Sequence, residues 1–88
     1  MQKRQMTIVN RLGLHARAAA KLVTLCSRYQ SAVTLRANGR IADGRRLIAL
    51  LTLSASLGVS LAVEASGPDE AQAIVAIARL IGDGFGES

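Results

Sequence analysis

The chain has one cysteine, one proline, one histidine, no tryptophan and only two aromatic rings, Tyr29 and Phe85. A single cysteine can form neither an intramolecular disulfide nor a thiolate-rich metal cluster, which suits a reducing compartment, and Cys26 reads as a core residue. With so few rings, a base-stacking surface cannot be assembled. The core must instead be built from Ala, Val, Ile and Leu, which favours close packing of helices on a sheet. No apolar run reaches the roughly 18 residues of a membrane span, and nothing after Met1–Arg4 has the apolar stretch of a signal peptide. The protein is therefore expected to be soluble and cytoplasmic, with no membrane association. Repeats, linkers and low-complexity segments are lacking as well.

What is present is 88 residues, enough for one domain, 1–88, around a single thin core. Eleven Lys and Arg against six Asp and Glu give a net charge of +5, which predicts steering toward something negative. Nucleic acid, an acidic protein face and a phosphate all qualify.

Hydrophobic periodicity orders the elements. Met6-Thr7-Ile8-Val9 alternates and breaks at Asn10, as a half-buried first strand does. From Ala16 to Ser27, apolar Ala19, Leu22, Val23 and Cys26 recur every three or four residues, which predicts an amphipathic helix. Val33-Thr34-Leu35-Arg36 alternates again, and Asn38-Gly39 marks a tight hairpin into Ile41 and Ala42. Arg46–Leu51 is a short apolar run read as helix, because Leu and Ala are good helix formers. Ser60–Ser66 fits a fourth strand with Leu61 and Val63 turned inward. Gly67-Pro68-Asp69-Glu70 starts a last helix with the stripe Ile74, Ile77, Ala78 and Ile81, stopped by Gly82 and Gly84. The expected fold is α+β, with a four-stranded antiparallel sheet covered on one face by three helices, in the order βαββαβα.

His15 stands between the loop Asn10–Leu14 and the first helix. The N–H groups of Ala16, Arg17 and Ala18 begin that helix without intrahelical partners, and the helix dipole adds about half a positive charge, so an anion is welcome there. Arg17 adds a forked donor matched to phosphate oxygens. A neutral imidazole is nucleophilic, and the positive helix end favours the neutral form. Phosphoryl transfer depends on positioning and on stabilising spread negative charge, so these residues form the receptive half of a transfer site. They do not form a stand-alone enzyme, since no metal cage, Walker loop or second general base accompanies them. No cofactor and no metal are expected. A lone histidine is more often an ordinary loop residue, and position alone does not decide between the two.

Gly13-Leu14-His15-Ala16-Arg17, followed by Ala19-Ala20 and an apolar helix, resembles the active-site segment of HPr proteins of the phosphoenolpyruvate-dependent phosphotransferase system. The resemblance extends over the whole chain through Ile48-Ala49-Leu50-Leu51, Gly58, Glu64-Ala65 and Gly67-Pro68, and those stretches are similar especially to nitrogen-branch members. It implies an open-faced β-sandwich. It implies that His15 is phosphorylated through Nδ1, with Arg17 and the N–H groups of Ala16, Arg17 and Ala18 steadying the phosphoryl group. Enzyme I is then the donor and an enzyme IIA the acceptor, both docking a monomer on Ala20, Lys21, Arg46, Leu47, Ile48 and Leu51. Exposed Leu and Ile on that face are otherwise poor for solubility. Two positions depart from the family pattern. Ala18 replaces the usual proline, and Arg46 stands where many sugar-transport members carry a phosphorylatable serine, which excludes serine-kinase control at that position.

The main rival reading is a small basic nucleic-acid-binding domain, motivated by the net charge and by Arg36, Arg40, Arg45 and Arg46. A regulatory adaptor that binds partners without carrying phosphate is a second, against which His15 and Arg17 both argue.

Overall fold

In the computed structural model, which describes residues 1–87, backbone pairing gathers four segments into one antiparallel sheet. These are β1 (Gln2–Thr7), β2 (Ala32–Ala37), β3 (Arg40–Asp43) and β4 (Ser60–Ser66), in spatial order β1-β4-β2-β3. Helix α1 (Ala16–Cys26) lies between β1 and β2 in sequence and α2 (Leu47–Leu51) between β3 and β4, while α3 (Glu70–Gly82) follows β4 and a 3-10 turn (Gly84–Gly86) follows α3. The expected element order and fold class are observed.

The pleat explains which residues face the helices. Met6 pairs with Leu61, and Leu35 pairs with both Val63 and Ala42, so buried side chains run in register across the sheet. Onto them pack Ala18, Ala19, Leu22 and Cys26 of α1, Leu50 of α2, and Ala73, Ile74, Ile77 and Ile81 of α3, all buried. Ala18 belongs to this core although the periodicity passed over it, whereas Val23, expected to be core, is only half-buried. Burial pushes the Cys26 thiol up to about 11, so it behaves as a small apolar side chain.

β1 differs from expectation in extent. Within Met6–Val9 the alternation is right, with Met6 and Ile8 buried and Thr7 and Val9 exposed, but the strand begins at Gln2, opposite Ala65. As an edge strand with one neighbour, it is specified there by backbone pairing, while its polar side chains stay solvated. The hairpin joining β2 to β3 has Asn38 at φ 53° and Gly39 at φ 76°, the two positive values of the tightest right-twisting turn. Asn38 also donates from Nδ2 to the Leu53 and Ser54 carbonyls at 2.8 and 3.0 Å, which satisfies carbonyls past the end of α2.

The chain's one phenylalanine is fully buried, with φ 57°. A left-handed backbone costs a non-glycine residue about 1–2 kcal/mol. Burying its ring returns about 1.5–3 kcal/mol, so burial wins and Phe85 anchors the turn after α3. No helix among the described residues is long and apolar enough to cross a membrane.

Candidate functional site

The segment leading to α1 is shaped by one glycine and one asparagine. Gly13 has φ 66°, and a Cβ there would lie 2.6 Å from the Ala55 carbonyl oxygen, so only glycine fits. The adjacent Leu14 N–H donates to that same carbonyl at 2.8 Å, locking the segment to the middle of the α2–β4 connection. Asn10 is buried, and its Nδ2 donates to Gly13 O at 2.8 Å. The chain therefore arrives at α1 along a fixed path.

His15 is the residue preceding α1, in extended conformation, and its side chain makes no capping bond. The first helical bond runs from Ala19 N–H to His15 O at 2.8 Å. The N–H groups of Ala16, Arg17 and Ala18 come before it and have no backbone acceptor among the described residues. No acidic residue lies in the first turn, so the helix end keeps its positive character. Arg17 is exposed beside it.

The structure adds a group that the sequence reading missed. Glu87, just beyond the Gly84–Gly86 turn, accepts from Asn10 Nδ2 through Oε1 at 2.8 Å and meets His15 Nε2 with Oε2. Lys21 Nζ donates to Phe85 O at 2.6 Å and holds the same turn against α1. The Asn10 bond, helped by the His15 ring and the Lys21 charge, holds the Glu87 carboxyl below its ordinary range despite some desolvation. His15 Nδ1 has no side-chain or backbone partner among the described residues. No periodicity reveals Glu87, since the ring and the carboxylate are 72 residues apart; a buried Phe85 in a glycine-rich tail was the one available clue.

The remaining predicted residues form two patches rather than one. Arg17, Ala20 and Lys21 line a groove of about 420 Å³ with Thr24, Leu25, Arg28 and Leu80. Arg46, Leu47 and Ile48 line a second, of about 590 Å³, with Ile41 from β3. Ile48 is 72% exposed, whereas Leu51 is only half-buried at the helix's inner side. The arginines that motivated a nucleic-acid interface are largely engaged by the protein itself. Arg36 lies 4.0 Å from Glu64, Arg40 donates to Thr52 O at 2.7 Å, and Arg45 donates to the Tyr29 and Ser31 carbonyls.

The family model for the PTS HPr component phosphorylation site matches residues 2–83. This chain belongs to the HPr family. Among curated relatives, it is 42% identical over 87 residues to the phosphocarrier protein HPr of Cupriavidus necator, covering 99% of this chain and 98% of that one. It is also 47% identical over 87 residues to the phosphocarrier protein NPr of Proteus mirabilis, covering 98% and 97%. A crystal structure of HPr from Thermoanaerobacter tengcongensis superposes with a TM-score of 0.95 at 32% identity, covering 100% of this chain and 99% of that one. A second structure from that organism, described as an HPr dimer, matches with a TM-score of 0.78 at 32% identity, covering 99% and 100%. HPr proteins are phosphocarriers of the phosphotransferase system and act there with enzyme I and enzyme IIA components. The open-faced sandwich of the HPr fold is the architecture described above.

Proposed function

We propose that His15 is the residue on which this phosphocarrier holds its cargo, accepting a phosphoryl group on Nδ1 from phosphorylated enzyme I and passing it to an enzyme IIA. The observation that carries this reading is the ring itself, which precedes α1 and whose Nε2 is taken up by Glu87 while Nδ1 has no partner among the described residues. The N–H groups of Ala16, Arg17 and Ala18, with the Arg17 guanidinium, receive the phosphoryl oxygens. Both partners dock on α1 and α2, through exposed Ala20, Lys21, Arg46, Leu47 and Ile48 with half-buried Leu51 beside them, where apolar side chains and positive charge lie side by side. The working form is a cytoplasmic monomer without metal or cofactor, because that face must be free for each partner in turn.

The test is incubation with phosphoenolpyruvate and a competent enzyme I, followed by intact mass. A gain of one phosphate that is labile in acid and stable in alkali is expected. Its absence, or its persistence in His15→Ala, overturns the assignment. Light scattering of the free protein checks the monomer, and a dimer that persists at low concentration counts against it.

A further inference from the structure

We propose that Glu87 is a positioning residue for His15, fixing the ring with its proton on Nε2 so that the lone pair on Nδ1 is the nucleophile. The inference deepens the carrier reading above and rests on it.

A carboxylate only accepts hydrogen bonds, so the proton between Glu87 Oε2 and His15 Nε2 belongs to the ring. A neutral imidazole protonated on Nε2 carries its lone pair on Nδ1. The carboxylate also has a fixed place. Its other oxygen accepts from Asn10 Nδ2 at 2.8 Å, and the same Nδ2 donates at 2.8 Å to Gly13 O. Both partners of that amide nitrogen are acceptors, so its orientation is not in question. Asn10 is 5% exposed. On the other side, buried Phe85 and the bond from Lys21 Nζ to its carbonyl hold the turn that delivers Glu87. A nucleophile oriented by a group that is itself anchored is the arrangement that activates histidine and serine sites in general.

In the transfer step, the Nδ1 lone pair forms a bond to phosphorus while the bond from phosphorus to the donor breaks and leaves its electron pair on the donor. The ring keeps its Nε2 proton and gains positive charge, which the adjacent carboxylate offsets where it arises. On the outward step the N–P bond breaks, its electron pair returns to Nδ1, and no proton has to move. The charged groups around the pair are Lys21 on α1 and Arg11 and Asp83, which line the neighbouring cleft with Glu87.

Glu87→Ala and Glu87→Gln test the proposal against the wild type, with phosphorylated enzyme I as donor, across pH and with thermal melts to confirm folding. In Glu87→Ala we expect kcat to fall on the order of tenfold at unchanged KM, the low end of what orienting partners contribute. The low end applies because the His15 and Glu87 side chains keep 26% and 15% exposure. Since His15 is the only histidine, its ring nitrogens can be read without ambiguity by 15N NMR. The wild type should show a protected proton on Nε2, lost in Glu87→Ala and retained in Glu87→Gln, whose amide oxygen still accepts but brings no charge. A Glu87→Ala protein with wild-type rate, pH profile and ring signals overturns the proposal, as does a wild-type proton on Nδ1. A wild type that takes no phosphate at all removes the carrier reading and this role with it.

Discussion

The two ends of α3 each deliver a carboxylate to the opposite ends of α1, and their different donors separate support from chemistry. Before α3, Asp69 accepts from Gln30 N and Ser31 N, both at 2.9 Å, and from Ser31 Oγ at 2.5 Å. After α3, Glu87 accepts from Asn10 and from His15. Hydrogen bonds hold both carboxyls below their ordinary range, from Ser31 chiefly at Asp69 and from Asn10 chiefly at Glu87. The donors at Asp69 never titrate near neutral pH, and Ser31 is fully buried, so that contact can only fasten the turn after α1 to α3. One donor at Glu87 is the ring we propose as the nucleophile. On that proposal, similar bonding is structural at one end of the helix and functional at the other.

Substitutions at each end of α3 separate the two roles. His15→Ala should abolish phosphorylation by enzyme I and leave the melting temperature nearly unchanged, because the ring lies at the surface end of α1; intact mass and calorimetry together check it. Phe85→Ala removes the fully buried ring that seats the Glu87 turn and should cost about 3–5 kcal/mol in urea unfolding. Its phosphorylation rate should fall as well, since the turn then no longer holds the carboxylate. If the rate were unaffected, Glu87 would be reaching His15 without its anchor. Asp69→Ala should lower the melting temperature more than Glu87→Ala does, while leaving phosphorylation at the wild-type rate. The reverse ranking would erase the distinction between the two ends.

The smallest effect concerns acid. Both carboxyls have lower pKa values folded than unfolded, so their contribution to stability is present above the ordinary values, 3.8 for Asp69 and 4.5 for Glu87. It is lost as pH falls below these values and through the folded ones. Melting curves of wild type, Asp69→Asn and Glu87→Gln should therefore differ most near neutrality and converge in strong acid.

Much of this was legible in the order of residues. Alternation located β2 and β4, the three-and-four spacing located α1 and α3, and Asn38-Gly39 located the hairpin, since each of these signals is set by neighbours along the chain. The composition of Arg46–Leu51 favoured the helix that is observed as α2, although its one fully buried residue is Leu50. Elsewhere, local signals could not suffice. The start of β1 depends on pairing with β4 rather than on an apolar face. The arginine cluster resolved into internal contacts because Thr52, Tyr29 and Ser31 come to lie beside Arg40 and Arg45 only in the folded chain.

The sequence alone determined that His15 opens a helix with free N–H groups and Arg17 at hand, because a helix start is a local property of consecutive residues. Tertiary structure alone decided which nitrogen of that ring is occupied. Glu87 reaches Nε2 only after α3 has packed on the sheet, Phe85 has entered the core and Asn10 has bridged the two segments. A contact spanning 72 residues depends on where the whole fold brings the chain, and no periodicity along the sequence encodes it.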